Sequence, residues 1–372
     1  MAEWVERKIS DIGTVIGGAT PSTKKPENYE NGEIAWITPK DLSTFSSRYI
    51  ERGERNITEI GLKSCSTQLL PPNTVLFSSR APIGYVAIAA NEVCTNQGFK
   101  SVIPNENTDP LFLFYLLKYN KDKIEGMGSG TTFKEVSGNT MKNIIVNVPT
   151  DKKVQEKIAA ILGSIDDKIE ENEQINNNLE QQAQAIFDNM FPNISNGSCA
   201  IGDYITPKRG KSLLSKNAIF GDVPVIAGGL EPSTYHNVAN TQSPVLAISA
   251  SGANAGYVSL WNIPIWSSDS SYIDSSMTDD VYFWYVLLKK RQKEIFDAQT
   301  GSAQPHIYPQ HIASMSVSNL DIEKVHSYTS IVTPIFEIIG HHKEENTRLA
   351  SLRDTLLPKL MSGELDVSDI DL

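Results

Sequence analysis

Several features that mark particular classes of protein are scarce or missing in this sequence. Only three cysteines occur in 372 residues, Cys65, Cys94 and Cys199, and they are far apart and not at the spacing of metal ligands. A reduced, cytoplasmic setting therefore fits best. No run of about 18 apolar residues is present, so we expect no transmembrane helix and no membrane partner. The first residues, MAEWVERKIS, lack the apolar core of a signal peptide.

Motifs of catalysis are also missing. Gly210-Lys211-Ser212 resembles the end of a phosphate-binding P-loop, but the first glycine of that motif would fall at Ile205, so a basic surface turn is the better interpretation. The chain has no Asn/Asp-Pro-Pro-aromatic phrase of the kind found in amino-methyltransferases. His306 and His311 are five residues apart with no thiolate nearby, which disfavours zinc. We therefore predict a non-catalytic chain without a metal or cofactor of its own.

The net charge of −11 is unevenly distributed along the chain. Residues 1–150 hold sixteen basic and sixteen acidic residues, and residues 193–325 hold nine and eleven. Most of the acidic excess lies in residues 151–192, with four basic and nine acidic residues, and in the last ten residues, with four acidic and none basic. The globular segments are thus near neutral and permit local basic faces, although a domain pI above about 9 would be stronger evidence for nucleic-acid binding.

Two segments carry residues at the alternating spacing of three and four that defines a heptad seam. The first seam consists of Leu162, Ile165, Ile169, Asn172, Asn176, Leu179, Ala183, Ile186 and Met190, and the second of Val332, Ile335, Ile339, His342, Asn346, Leu349, Arg353, Leu356 and Leu360. Each predicted helix would be roughly 55 Å long at about 1.5 Å per residue. Because neither helix can bury its apolar stripe alone, we predict that the two pack on each other as a coiled coil.

Polar residues interrupt both seams, and two interpretations are open. Asn172, Asn176 and Asn346 are either tolerated in a mostly packed seam or fix the alignment and orientation of the helices at some cost in stability. We favour the second interpretation, and we expect His342 to serve the same alignment.

The first 150 residues show a mixed pattern of strands and helices. Runs rich in β-formers predict strands at Ile34–Thr38, Val75–Ser78, Tyr85–Ala89 and Ile144–Val148, and Leu111–Ile124 is the strongest helical candidate. The first long helix is expected to begin at Asp151 and to end before Pro192, where the turn-rich segment 192–198 forms a linker.

Residues 199–325 repeat the order of the first segment, which indicates a duplication. The matched pairs are Ile12-Gly13 with Ile201-Gly202, Gly32–Ile37 with Gly221–Ile226, Val75-Leu76 with Val245-Leu246, Gly84–Val86 with Gly256–Val258, Leu111–Ile124 with Val281–Phe296, and Gly130–Thr132 with Gly301–Ala303. We therefore predict four parts: a first domain (1–150), a first spacer helix (151–192), a second domain (193–325), and a second spacer helix with an acidic tail (326–372). A duplicated chain suits a two-sided ligand, and duplex DNA is the commonest such ligand.

Several phrases resemble those of the specificity subunits of type I restriction-modification systems. They are Val154–Ala159, Ile165–Glu170, Ile186–Phe191, Leu356–Leu365, the openings Ile12-Gly13 and Trp36–Thr38, and the loop phrases Gly128–Thr132 and Gln299–His306. Together they extend over nearly the whole chain.

The resemblance implies an α+β fold with a pseudo-two-fold tandem repeat. Two target-recognition domains would be separated by two long antiparallel helices that form an intramolecular coiled coil, and each domain would read one half of a bipartite double-stranded DNA target. The resemblance also implies two methyltransferase subunits docked around the helices and motor-nuclease subunits that cut. S-adenosylmethionine, ATP and Mg²⁺ would then belong to those partners and not to this chain.

Loop residues with basic, amide or hydroxyl side chains are the DNA-contact candidates, because phosphate contacts position a protein and base-edge contacts specify the sequence. The candidates are Lys24, Lys25, Lys40, Arg80, Ser129, Thr131, Thr132 and Lys134 in the first domain, and Lys208, Arg209, Lys211, Ser251, Asn254, Ser302, Gln304 and His306 in the second. Arginine pairs with guanine and glutamine with adenine, so Arg80 and Gln304 are the predicted base readers. The first domain has Phe133 where the second has Gln304, so that role does not carry over between the domains.

The acidic residues of the first long helix should not face DNA, because phosphates would repel them. We expect Asp166, Asp167, Glu170, Glu171 and Glu173 to face protein or solvent. Two other functions remain open from the sequence alone. One is a coiled-coil adaptor whose duplicated domains bind protein or sugar, and the other is a stand-alone nuclease or methylase, for which no matching site is present.

Overall fold

Residues 3–80, 82–130, 134–301, 304–368 and 370 are described by a computed structural model of the chain. The chain divides into two units, of which unit 1 contains Met1–Glu170 and Thr347–Leu372, and unit 2 contains Glu171–Asn346. In the described ranges, no helix combines the length and the apolarity that crossing a membrane requires.

Besides its parts of two long helices, the described residues of unit 1 form three small sheets and six short α-helices. Its strands are β1 (Trp4–Lys8), β2 (Gly13–Gly17), β3 (Ile34–Ile37), β4 (Tyr49–Ile50), β5 (Arg55–Ile57), β6 (Val75–Ser79), β7 (Ile83–Ala89), β8 (Cys94–Thr95), β9 (Lys100–Pro104) and β10 (Ile145–Pro149). Its short helices are α1 (Ile9–Ile12), α2 (Pro39–Leu42), α3 (Glu59–Lys63), α4 (Pro110–Tyr119), α5 (Lys121–Gly126) and α6 (Gly138–Asn143).

The largest sheet of unit 1 has the strand order β2-β9-β6-β7-β4. All five residues of its central strand β6 are buried, as expected where both faces of a sheet are covered. A second sheet has the order β5-β3-β8, and its β3 and β8 pair in parallel; β1 and β10 form a two-stranded antiparallel ladder. The α4 helix buries six consecutive residues, 112–117, in the core of unit 1.

The first long helix is α7 (Lys152–Met190), and unit 2 follows with its own strands and short helices. They are β11 (Cys199–Ala200), β12 (Lys208–Arg209), β13 (Val223–Ile226), β14 (Thr234–His236), β15 (Val245–Ser249), β16 (Val258–Trp261), β17 (Trp266–Ser267), β18 (Ser270–Asp274), α8 (Val281–Lys290), α9 (Gln292–Asp297), α10 (Pro309–Ala313) and β19 (Ser316–Val317). The second long helix is α11 (Ile322–Met361).

Unit 2 repeats the sheet plan of unit 1, which confirms the predicted duplication. Its sheets have the orders β12-β18-β15-β16, β14-β13-β17 and β11-β19. In both units the middle strand of the three-stranded sheet pairs in parallel with a short strand, as β3 does with β8 and β13 with β17. The matched glycines Gly84 and Gly256 both have positive φ, at 98° and 90°, a conformation that other L-residues rarely adopt.

The predicted helix Leu111–Ile124 is two helices, α4 and α5, with a break at Asn120. The Asn120 side chain donates to the Leu116 carbonyl over 2.8 Å and so competes with the continuing backbone hydrogen bonds. The matched helices α8 and α9 are interrupted at the matched position, Arg291, whose side chain bonds Glu294 and the Ser316 carbonyl instead.

The second long helix begins at Ile322, four residues before the predicted start of the spacer segment at residue 326. Asp321 precedes it, and its carboxylate accepts a hydrogen bond from the Lys324 amide at 3.3 Å, which is the geometry of an N-terminal cap. The division between the two units falls inside both long helices.

In unit 2, hydrogen bonds between the two long helices show that they pair antiparallel. The Asn172 amide donates to Asn346 Oδ1 at 2.8 Å, Asn176 Oδ1 lies 2.8 Å from His342 Nδ1, and the Tyr328 hydroxyl donates to a carbonyl near the end of α7. As the residue number rises along α7, the residue number of the partner on α11 falls, as an antiparallel pair requires. The mid-seam polar residues therefore pair with each other across the two helices.

The same helices also bury side chains that the seam did not include. Phe187 of α7 packs with Tyr328 of α11 and Phe283 of α8, with ring centroids 5.4 and 5.6 Å from that of Phe187. The helices thus carry a second apolar face that contributes to the core of unit 2. Burial of that face is why the helix halves belong to the same compact units as the domains.

In unit 1, Asp166 of α7 joins both helix α4 and helix α11. Its carboxylate accepts from the Tyr115 hydroxyl at 2.6 Å and from Arg353 at 2.7 Å. Burial raises the pKa of Tyr115 and the negative charge of Asp166 raises it further, so the phenol stays protonated and donates. The prediction that Asp166 faces protein is confirmed.

Arg48 attaches the loop before β4 to the first long helix. Its side chain is 6% exposed and donates to both oxygens of Glu170 at 3.1 Å, and it also pairs with Asp167. Burial lowers the pKa of Arg48, but the hydrogen bonds to Glu170 and Asp167 outweigh it and raise the pKa above its ordinary value. Glu170 therefore faces protein and Asp167, whose side chain is 71% exposed, largely faces solvent, which agrees with the prediction that these residues face protein or solvent. Arg48 was not identified from the sequence.

Arg48→Ala should destabilise unit 1 by about 3 kcal/mol, because removing one partner of a buried pair leaves the other partly desolvated and unpaired. Urea unfolding followed by tryptophan fluorescence measures the change. Lys63→Ala is the matched control, since Lys63 and Glu59 form an exposed pair 75% and 78% accessible, for which about 0.5 kcal/mol or less is expected. Equal effects of the two substitutions would contradict the structural role of Arg48.

Replacing Asn172 and Asn176 together with Leu should raise the urea midpoint but loosen the alignment of the helices, because an apolar seam accepts several registers. Size-exclusion chromatography with light scattering reports the oligomeric state, and methylome sequencing reports the spacing of the half-sites in the bipartite target that the family resemblance implies. Asn178→Leu, at an exposed position of α7, is the control. An unchanged oligomeric state together with unchanged spacing would rule out the alignment role.

Candidate nucleic-acid interface

In unit 1, backbone bridges join Arg80, Ser129 and Glu135 into a small frame. Ser129 and Glu135 exchange main-chain hydrogen bonds of 3.0 and 2.9 Å, and Arg80 bridges to Glu135 from the end of β6. Ser129 is exposed and Arg80 is partly exposed. Lys134, also predicted, is exposed beside this frame. The fold therefore brings Arg80, Ser129 and Lys134 together from distant parts of the sequence.

Glu135 holds the basic side chains of this frame. Its carboxylate lies 3.9 Å from an Arg80 guanidinium nitrogen and 3.4 Å from Lys100 Nζ. The long separation from Arg80, whose side chain is 36% exposed, leaves guanidinium donors available to a ligand. Sequence reasoning missed Glu135 because only basic, amide and hydroxyl side chains in loops were considered, and it missed Lys100 because that residue begins strand β9. Glu135 is 55 residues from Arg80 and 35 residues from Lys100 in the sequence.

The loop that carries Lys24 and Lys25 is connected to the same frame. The Thr20 hydroxyl bonds to Gln97, whose carbonyl lies 3.5 Å from Lys100 Nζ. Lys24 and Lys25 are both exposed on that loop. Lys40 is also exposed, but it forms a 2.6 Å ion pair with Glu54, and no contact among the described residues joins it to the frame.

Unit 2 contains the same backbone frame with different side chains. Thr300 and His306 exchange main-chain hydrogen bonds of 3.0 and 2.8 Å, and Ser251 bridges to His306. Each of these three residues lies 171 positions after its counterpart, which is Ser129, Glu135 or Arg80 in unit 1. At the three matched positions of the backbone, unit 1 has Arg80, Ser129 and Glu135, and unit 2 has Ser251, Thr300 and His306, respectively.

Asp269 connects the predicted basic strand of unit 2 to this frame. Its carboxylate accepts from the Ser251 hydroxyl and pairs with Arg209 at 2.5 Å. Lys208 and Lys211, on either side of Arg209 and Gly210, are exposed. The glycine is required by close packing and not by phosphate binding, since a Cβ on Gly210 would lie 2.5 Å from the Ser267 carbonyl oxygen.

The remaining predicted residues lie around the frame of unit 2 or outside the described residues. His306 stacks on Tyr308 at 5.9 Å between ring centroids, and Tyr308 meets His311 edge-on at 5.5 Å. Gln304 is exposed and Asn254 is partly exposed. Thr131, Thr132 and Ser302 lie outside the described residues. Among the described residues, no three His, Cys, Asp or Glu side chains are grouped in a way that could hold a metal ion.

Comparison with known proteins identifies the family. The model of the type I restriction modification DNA specificity domain matches residues 1–181. The specificity subunit of the type I restriction enzyme MjaIX from Methanocaldococcus jannaschii is 33% identical to this chain over 99% of it and 95% of the relative. The chain belongs to the type I specificity-subunit family.

Two further similarities agree with this family membership. A putative type I specificity subunit from Mycoplasma genitalium is 24% identical over 77% of this chain and 80% of the relative. The crystal structure of a type I restriction-modification S subunit from M. genitalium has the same fold, with a TM-score of 0.60 at 20% identity over 96% of both chains. The α+β fold with its duplicated domains and paired helices is therefore that of a type I specificity subunit.

In this specificity subunit, Arg80→Ala and Lys24→Ala should affect DNA binding in different ways. Arg80 is expected to read a base, so its loss should relax preference at one half-site, by about 1–3 kcal/mol of discrimination. Lys24 is expected to contact phosphate, so its loss should weaken binding to all sequences and reduce the salt slope by about 1. Binding assays at several salt concentrations on matched and mismatched duplexes measure both. A uniform loss of affinity in both variants would show that these roles are assigned wrongly.

Proposed function

We propose that this type I specificity subunit reads a bipartite double-stranded DNA target, one half with each unit. The observation that carries the proposal is the repeated frame. Ser129–Glu135–Arg80 and Thr300–His306–Ser251 have the same main-chain bonding and different side chains. A duplicated scaffold with altered contact residues suits a ligand with two similar halves of different sequence, and base edges are distinguished by the side chains that meet them.

The roles of individual residues remain predictions within this proposal. Lys24, Lys25, Lys208 and Lys211 are exposed and basic, which suits contacts to phosphates that position the protein. Arg80 and Gln304 are the proposed base readers, and Ser129, Ser251, Asn254 and His306 supply further donors and acceptors beside them. The acidic residues Asp166, Asp167 and Glu170 do not oppose this function, because Arg353 and Arg48 pair with them.

Catalysis in this proposal is performed by partner subunits. Two methyltransferase subunits would dock around the paired helices and use S-adenosylmethionine, and motor-nuclease subunits would use ATP and Mg²⁺. This chain would then contribute target recognition alone. The adaptor alternative requires no DNA contact, so salt-dependent and sequence-specific binding by the assembled complex separates the two functions.

Separation of the two half-sites is proposed to depend on the length of the long helices. Removing residues 171–177 together with 341–347 deletes one heptad from each helix and retains the Asp166–Arg353 contact that aligns them. Seven residues correspond to about 10 Å of helix, so the spacer should shorten by about three base pairs or binding should be lost. Methylome sequencing of a host that carries this chain and its methyltransferase gives the spacer.

The matched control for the heptad deletion removes residues 171–177 alone. It offsets one seam against the other, so we expect misassembly and no methylation. A paired deletion that methylates the original site with its original spacer would leave the helices as scaffold without a measuring role.

A further inference from the structure

The loop from Gly210 to Gly221 in unit 2 exposes three large apolar side chains. Phe220 is 96% exposed, Ile219 60% and Leu214 57%. Single exposed apolar residues are ordinary on protein surfaces, but a group of them on one loop marks an interaction site. No role assigned above uses these three residues.

Both ends of this loop are anchored. At one end the Lys211 amide donates to the Ser267 carbonyl at 2.9 Å, and the Lys211 carbonyl accepts from the Trp266 indole at 2.8 Å. At the other end the Ile219 amide donates to the His236 ring nitrogen at 3.0 Å. The rings of His236 and Trp266 pack edge-on with centroids 5.1 Å apart, so the two anchors support each other. The apolar side chains are therefore presented from a fixed loop.

The charge of the same segment indicates what the loop contacts. Residues 208–221 contain four basic residues and no acidic residue, in a chain whose net charge is −11. All other basic residues between 193 and 325 lie at 289–293 or at 324. Arg209 is paired with Asp269, whereas Lys208, Lys211 and Lys216 are exposed. Exposed lysines around an apolar loop match a ligand with anionic edges and an apolar interior, which is the arrangement of phosphates and bases in a duplex.

The matched loop of unit 1 contains two lysines and two glutamates, so it lacks a basic excess, and it exposes no group of large apolar side chains. It runs from Gly18 to Gly32 and exposes Lys24 and Lys25. The residue before its closing glycine, which corresponds to Phe220, is Asn31, with a φ of 55°. The exposed apolar group is therefore a property of unit 2, and any effect of it should be confined to one half-site.

We propose that Phe220, supported by Leu214 and Ile219, inserts against a base step in the half-site read by unit 2, while Lys208, Lys211 and Lys216 contact the flanking phosphates. This proposal rests on the proposed DNA-reading function and adds a base-contacting residue that is neither basic nor an amide. Apolar wedges of Phe, Leu or Ile partly unstack a base step and make the binding energy depend on how readily that step deforms.

The test uses the full chain in complex with its methyltransferase subunits. The variants are Phe220→Ala, the conservative Phe220→Leu, and the control Ile60→Ala, which removes an exposed apolar side chain that is 59% accessible from helix α3 of unit 1, next to Glu59. Methylome sequencing first defines the wild-type target. The probe is then a duplex with that target and 2-aminopurine placed at each step of one half-site in turn, since its fluorescence rises on unstacking.

We expect Phe220→Ala to bind the target about tenfold more weakly, to lose the rise in 2-aminopurine fluorescence at one step, and to methylate sites with relaxed preference in one half-site. Phe220→Leu should retain most of each property, and Ile60→Ala should match the wild type. Because Phe220 is almost fully exposed, the thermal midpoint should be the same for all four proteins, and light scattering should show intact complexes.

Three results would overturn the proposal. In the first, Phe220→Ala keeps wild-type affinity and the fluorescence rise. In the second, Phe220→Ala releases the methyltransferase subunits and leaves DNA binding of the remaining complex unchanged, which would assign the loop to a protein partner. In the third, the wild-type complex shows no sequence-specific binding or methylation, which would also overturn the proposed function and is thereby distinguishable from the first two.

Discussion

The antiparallel pairing of the two long helices is the interaction on which the rest of the structure depends. Asn172 with Asn346 and Asn176 with His342 fix it in unit 2, and Asp166 with Arg353 fixes it in unit 1. Buried polar groups cost free energy unless they are hydrogen-bonded, so a shifted register would leave several of them unpaired. An entirely apolar seam would lack this penalty, and the helices would then align less uniquely.

Each half of a long helix also forms part of the core of the unit to which it belongs. In unit 1, Ile158, Leu162 and Leu360 pack with the residues of α4, and in unit 2 Phe187 and Tyr328 pack with α8. The hydrogen bonds of Arg48 to Glu170 also restrict how the loop before β4 is oriented on α7, because a guanidinium bound to both oxygens of a carboxylate accepts few other geometries. The recognition surfaces are thereby held on rigid elements.

The duplication explains how one fold can present two different surfaces. Backbone hydrogen bonds between the loops recur at the same positions in both units, whereas the side chains on them differ. Acidic residues have a structural role at both frames, with Glu135 beside Arg80 and Asp269 beside Arg209. The negative net charge does not exclude DNA binding, because Asp166, Asp167 and Glu170 of the first long helix and Glu135 and Asp269 beside the frames are paired with arginines of the same unit.

The sequence by itself determined the two long helices, the duplicated order of strands, and the polar residues that pair between the helices, because heptad spacing and internal repeats are local patterns that the sequence displays directly. The sequence also identified Arg80, Ser129, Ser251 and His306 as DNA-contact candidates, but it did not predict that they belong to equivalent backbone frames in the two units. Only the tertiary structure decided that Glu135 pairs with Arg80 and Asp269 with Ser251. It also decided that Arg48 binds the first long helix and that Phe220 lies on an anchored, exposed loop. The physical reason is that these contacts join residues 17 to 122 positions apart, and neither spacing nor composition encodes which side chains meet when strands and loops pack.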